Sequence, residues 1–235
     1  MHLAHVDSPP HRSSPRVAVF AAAALAVASL TLLLLVALSW NPLTALDGGI
    51  SRSLHRSAVA HHGTTRAFRI LTDWVWDPAT MRILAAATVL WLLWRRRDAR
   101  AALWVAATCV LAALVQKALK VLVGRARPVW PDPVDTARES AFPSGHAMTA
   151  TVVCGLLLWL LHRYGARGAT RLMAWAAAVV SVVGVGLSRV WLGVHWPSDV
   201  VGGWLLGALM VALAVASYER WGRGEEEPAA PAGPS

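Results

Sequence analysis

Six long apolar runs, separated by polar or basic joints, leave this chain few ways to fold. They lie near residues 17–39, 79–94, 101–119, 146–162, 172–190 and 200–218. A helix needs about 20 mostly apolar residues, within a range near 17–25, to cross the hydrocarbon of a bilayer. Only the second run is slightly short, and Arg82 near its start can snorkel to the interface. Tryptophans sit at many of the ends: Trp40, Trp91, Trp94, Trp191, Trp196 and Trp221. An apolar ring with one polar N–H favours the membrane–water boundary. The expected fold is therefore all-α, a six-span transmembrane helical bundle.

Composition agrees. Charged residues make up 15% of the 235 residues, well below the roughly 25% of a soluble domain. The formal charge of +9 lies between and beside the apolar runs and not along one polar face, which argues against a nucleic-acid partner. Cys109 and Cys154 fall inside apolar segments and read as small buried hydrophobes. Residues 1–16, rich in Pro, Ser and His, and residues 222–235 read as disordered tails around one domain at 17–221. Arg12 and Arg16 precede the first run, and Ala37 and Ser39 are small, as at a signal cleavage site. The run exceeds the roughly 7–15 apolar residues of a signal peptide, so it reads as a retained anchor.

With six spans both termini share a side. Lys and Arg counts on the two sides tie, so density decides. Residues 95–100 hold four arginines in six positions, and 163–171 hold three in nine. The positive-inside rule concerns such short joints, which places the termini in the cytoplasm and the chain in the plasma membrane.

That topology gathers the chemistry on the outer face. Lys120 ends the third span, followed by Arg125 and Arg127-Pro128. Pro143-Ser144-Gly145-His146 opens the fourth, Ser188-Arg189 ends the fifth, and His195 and Asp199 enter the sixth. A lone Lys or Arg at a helix end usually only marks where the helix leaves the lipid. It does not explain two histidines and an aspartate beside them. The set suits phosphoryl transfer, where catalysis is largely positioning and stabilisation of oxygen charge. Lys120, Arg127 and Arg189 supply positive donors. Ser144 reads as an N-cap and Gly145 permits close backbone approach, leaving helix N–H groups for an anion. His195 and Asp199, four apart, meet on one helical turn, so the carboxylate can fix the imidazole tautomer. His146, on another helix, is placed as a general acid.

In this order and spacing, Lys120 to Arg127-Pro128, then Pro143 to His146, then Ser188-Arg189 with His195 and Asp199, the residues resemble the three-part signature of the type 2 phosphatidic acid phosphatase family. That family takes in bacterial lipid phosphatases and the vanadium haloperoxidases. The motifs cover 120–199, and the span layout extends the likeness over about 17–218. The resemblance implies a lipid phosphate phosphatase working without cofactor or metal through a phosphohistidine. His195 is then the nucleophile, oriented by Asp199, and His146 the acid for the leaving group. Lys120, Arg127, Ser144, Gly145 and Arg189 hold the phosphate. The implied partners are the bilayer and a lipid phosphate such as phosphatidic acid, phosphatidylglycerol phosphate or undecaprenyl diphosphate. Soluble haloperoxidases share the pocket, but six apolar spans and the short stretch from Pro128 to Pro143 argue against one. A phosphotransferase of the same fold stays open. A transporter or scaffold that has kept the motif fits less well, because the polar residues gather at one end.

Other residues carry weaker signals. Lys117 reads as a snorkelling lysine, and His61-His62 as surface loop. Arg125 and Arg138 either greet a headgroup or are solvated. The segment 49–71 carries Arg52, Arg56, Arg66 and Arg69 without an acidic residue, while Ile50, Leu54 and Ala58 recur every four. It suits a surface helix that gathers anionic lipid, or a cap over the site. The sequence carries no signal for oligomeric state.

Overall fold

The computed structural model describes residues 15–226, with side-chain environments for 19–221. The expected tails, 1–16 and 222–235, lie outside the described residues except where the first helix starts at Pro15 and the last runs to Glu226. Among the described residues there are eight α-helices, two short π-helical turns and no strand. The α-helices are α1 (Pro15–Ala37), α2 (Asn41–Ala60), α3 (His62–Ile70), α4 (Pro78–Trp91), α5 (Ala99–Val123), α6 (Gly145–Arg163), α7 (Gly168–Trp191) and α8 (Pro197–Glu226). Five helices, α1, α5, α6, α7 and α8, are long and apolar enough to cross a membrane. Their outward side chains, among them Val121, Val180 and Leu213, are exposed, as lipid-facing positions must be. Helices suit this solvent because they satisfy their own backbone hydrogen bonds.

The second apolar run differs from the other five. Its α-helix, α4, has only 14 residues, and a π-helical turn over Leu92–Arg96 carries it on. The continuous helical stretch is thus shorter in regular α form than the sequence run suggests. At its end Arg97 adopts a left-handed conformation, and Asp98 caps α5 by accepting from the Ala101 N–H at 2.9 Å. Asp98 also accepts from Tyr164 at 2.9 Å and Arg163 at 3.2 Å, while Arg96 stacks over the Tyr164 ring. Some arginines of the two dense joints therefore pin α4–α5 to α6–α7, a packing duty separate from any membrane side.

α6 is the central helix. It packs on α8 and α7 along one side and on α4 and α5 along the other, and α1 leans on α8 from outside. Small residues bring α6 and α8 together, as is common where helices meet in lipid. A Cβ on Gly203 would lie 2.8 Å from the Ser144 carbonyl oxygen and 3.1 Å from the Met148 nitrogen. Both are backbone atoms and cannot rotate away. Gly203→Ala is expected to force the helices apart and to cost about 1–3 kcal/mol by overpacking. Thermal unfolding in detergent would measure it.

The segment 49–71 is helical, and its inward face is more polar than expected. α2 turns Asp47, Ser51, His55 and Ala58 inward, while Ile50 is exposed. Leu54 and Ala58 of the apolar stripe do pack inward, but polar residues with partners in the bundle share that face. Rather than loop, His61 breaks the chain between α2 and α3, and His62 opens α3. α3 is tied to the bundle through Thr65, which accepts from Trp191 Nε1 at 3.0 Å, and through Arg69, which donates to the Val134 carbonyl. The segment packs on α7 and α8.

Candidate active site

Gly124, left-handed at φ 58°, stops α5 just past Lys120 and releases the loop 124–144 across the end of the bundle. α6 starts beside α8, held by the Ser144 N–H donating to the Asp199 carbonyl at 2.9 Å. α7 delivers Arg189 in its last turn, and the joint 192–196 carries His195 to the start of α8. These terminations bring all eight residues singled out in the sequence to one end of the fold: Lys120, Arg127, Ser144, Gly145, His146, Arg189, His195 and Asp199.

His195 is almost fully buried. Its Nδ1 faces Asp199 Oδ2 at 3.4 Å, and its Nε2 lies 3.2 Å from Arg127 Nη1. A guanidinium can only donate, so Nε2 must present its lone pair. The proton then belongs on Nδ1, toward the carboxylate. Burial, and then the nearby charges of Arg127, Arg189 and Lys120, push the imidazole well below its usual range, so the ring is neutral at physiological pH.

Asp199 does more than face His195. Its Oδ2 accepts from the Trp196 N–H at 2.8 Å, and Oδ1 accepts from Arg125 at 2.6 Å. Arg125 also reaches Ser198 Oγ and Asp47 Oδ2, both at 2.7 Å, and Asp47 accepts the Ser198 N–H at 2.9 Å. Arg125 is therefore neither a headgroup greeter nor a solvated loop residue. It is the buried link between two carboxylates. Asp47 is invisible in the sequence because it stands alone, some 150 positions from Ser198. An acidic residue inside an otherwise small and apolar stretch, Leu46-Asp47-Gly48-Gly49, was the one available signal.

The three cations have partners from the loop and, for Arg127, from the α7–α8 joint as well. Lys120 donates to the Ser140 carbonyl and sits 3.5 Å from Glu139. Arg127 donates to the carbonyls of Glu139 and Val194. Arg189 lies 3.6 Å from Asp135. Ser144 stands at the N-cap position, yet its hydroxyl caps nothing. That hydroxyl and Arg189 Nε are buried without a hydrogen-bond partner, and such atoms in a well-packed protein call for an explanation. The room left by Gly145 is filled by Gln116, whose Nε2 would lie 2.6 Å from an added Cβ. His146 Nε2 lies 4.0 Å from Asp77 Oδ2. Among the described residues no group of three His, Cys, Asp or Glu side chains could hold a metal ion. Cys109 and Cys154 are unpaired and partly buried in α5 and α6.

Fold and site together define a helical integral membrane protein with a basic, two-histidine site at one end of its bundle. The chain belongs to the PAP2 superfamily, whose family model matches residues 101–223. Phosphatidylglycerophosphatase B of Bacillus subtilis (strain 168) is 38% identical over 108 residues, 46% of this chain and 53% of that protein. An undecaprenyl-diphosphatase of Sulfolobus acidocaldarius is 27% identical over 152 residues, 61% of this chain and 63% of that one. These matches thus span between half and two thirds of the relatives' length. The crystal structure of a transmembrane PAP2 type phosphatidylglycerolphosphate phosphatase from Bacillus subtilis superposes with a TM-score of 0.73. It is 25% identical, and the match covers 83% of this chain and 96% of that one.

Proposed function

We propose that this protein is a metal-independent phosphatase of membrane lipid phosphates, acting through a phosphohistidine on His195. The observation that carries the reading is the pose of His195, with Nδ1 against Asp199 and the Nε2 lone pair directed at the cationic cluster. A phosphoryl group held by Lys120, Arg127 and Arg189 would meet that lone pair. The partnerless Ser144 hydroxyl and Arg189 Nε supply further donors for its oxygens. Substrate oxygens would take over contacts that Glu139 and Asp135 make now.

In the first step the Nε2 lone pair forms a bond to phosphorus and the bond to the leaving oxygen breaks. The leaving oxygen keeps the electron pair and takes a proton from His146. The positive charge left on the His195 ring is stabilised by Asp199. In the second step water attacks phosphorus, gives a proton back to His146, and the N–P bond breaks to release orthophosphate. Each step needs donors already in place around developing oxygen charge.

The relatives' names point to phosphatidylglycerol phosphate and undecaprenyl diphosphate as substrates, and phosphatidic acid shares the same chemistry. The lipid tail stays in the bilayer while its headgroup enters the end of the bundle. On this reading α4 and its π-turn complete a sixth span, the termini are cytoplasmic and the site faces outward at the plasma membrane. The test is phosphate release in detergent from each of the three lipids, with and without a chelator. Release that resists the chelator is the expected result, and the preferred lipid identifies the substrate. No release from any of them by folded protein would refute the proposal.

A further inference from the structure

The joint between α3 and α4 serves the site in a way the three motifs do not account for. α3 widens at its end into a π-helical turn, Leu71–Val75, and α4 begins only at Pro78. Such turns recur at functional sites. Here the joint reaches three motif neighbours. Thr72, fully buried, shares a hydrogen bond with Ser188. Asp73 lies in the field of Arg189 and beside Asp135. Asp77 comes closest to the chemistry, with Oδ2 4.0 Å from His146 Nε2.

Asp77 is anchored at a helix start. It is the N-cap of α4, and its Oδ1 accepts from the Ala79 N–H at 2.7 Å. That bond fixes the carboxylate and leaves Oδ2 turned to His146. The other charged and titratable groups facing His146 are Arg189 from α7, His195 from the α7–α8 joint, Arg127 from the loop after α5, and Lys120 from α5. Three of the four are permanent cations, which oppose a further positive charge on the ring. A general acid in such surroundings needs an anion beside it.

We propose that Asp77 is a positioning residue that favours protonation of His146 against these cations, so that a proton is at hand when the bond to the leaving oxygen breaks. At 4.0 Å the contact is too long for a hydrogen bond; it becomes an ion pair when the ring is protonated and leaves the Nε2 proton free for transfer. When His146 gives up that proton the ion pair is dissolved, and the proton returned by the attacking water restores it. The catalytic consequence rests on the phosphatase reading above, whereas the charge pairing does not.

Asp77→Asn tests the pairing cleanly, because asparagine caps a helix about as well as aspartate and only the charge is lost. A general acid must be protonated, so its loss of the proton sets the alkaline limb of kcat/KM. Removing the carboxylate moves that limb to lower pH, by about one unit for a neighbour at this distance. At a pH on the wild-type limb the rate falls about tenfold. A second readout needs no activity: the 15N NMR titration of His146 in micelles, assigned by comparison with His146→Gln, moves down by the same amount. Both shifts together support the proposal. An Asn variant with the wild-type titration overturns it, and if Asp77→Ala then loses stability, Asp77 only caps α4. Should wild-type protein release no phosphate at all, the phosphatase reading fails, and the titration still decides whether Asp77 charges His146.

Discussion

His195→Ala is expected to lower lipid phosphate hydrolysis by at least about 10⁴-fold, the scale seen when a covalent nucleophile is deleted, while leaving the bundle folded. The structure gives a reason for so large an effect. Nε2 is the ring nitrogen that lies 3.2 Å from an arginine of the cluster, while Nδ1 is engaged by Asp199, so the proposed attack has its lone pair already aimed at the cations. The pH dependence of the wild-type enzyme carries a second part of the same expectation. Burial and three cations hold the His195 imidazole well below its usual range. A nucleophile works unprotonated, so a depressed value keeps it available as pH falls, and the acid limb of kcat/KM lies well below pH 6.5. The measurement is a pH profile of phosphate release, with thermal unfolding in detergent to show that the variant is folded. Retention of more than a few per cent of activity in His195→Ala, or an acid limb near 6.5, would count against His195 as the attacking group.

The parts of this site legible in the sequence are those whose function needs a fixed local spacing. His195 and Asp199 are close enough in sequence to face each other across the start of α8, and Pro143 to His146 stand at a helix start. His195 sits in the joint before the helix, however, and not on a shared helical turn as expected. The helices themselves were legible because apolar length is a one-dimensional quantity. What escaped depends on contacts between distant segments. Asp47 reaches the site from α2, Asp77 from the α3–α4 joint, and Asp135 and Glu139 from the loop before α6, and no periodicity links them to the residues they touch. The polar part of the inward face of α2 escapes for a related reason. Leu54 and Ala58 of its apolar stripe do turn inward, but Asp47 and His55 join them, drawn by Arg125 and by stacking on Trp130, at 4.2 Å between ring centroids. The second apolar run shows the limit of length as a guide. Its composition is helical throughout, yet the structure changes from α to π at Leu92, a shift in hydrogen bonding that composition does not encode.

Arg125→Ala is expected to be the most destabilising single substitution in the site. The guanidinium stands between Asp47 Oδ2 at 2.7 Å and Asp199 Oδ1 at 2.6 Å, and both carboxylates are buried. Removing it leaves two uncompensated anions away from water, and breaking a buried pair in this way costs about 3–5 kcal/mol. Arg125→Lys should recover only part of that. One ammonium is a point charge on a flexible stem and cannot reproduce the fork that reaches Asp199, Ser198 and Asp47 together. Asp47→Asn should cost less than either, because Arg125 keeps Asp199 and the amide oxygen can still accept the Ser198 N–H. The expected order of thermal stability is therefore wild type, Asp47→Asn, Arg125→Lys, Arg125→Ala. Activity should follow the same order, since an Asp199 freed from Arg125 no longer holds its oxygen against His195 Nδ1. The distinguishing readout is kcat at a temperature where every variant is folded. If Arg125→Ala unfolds like wild type, the pair is worth little. If it is destabilised but keeps full kcat, the network supports the fold and Asp199 positions His195 without it.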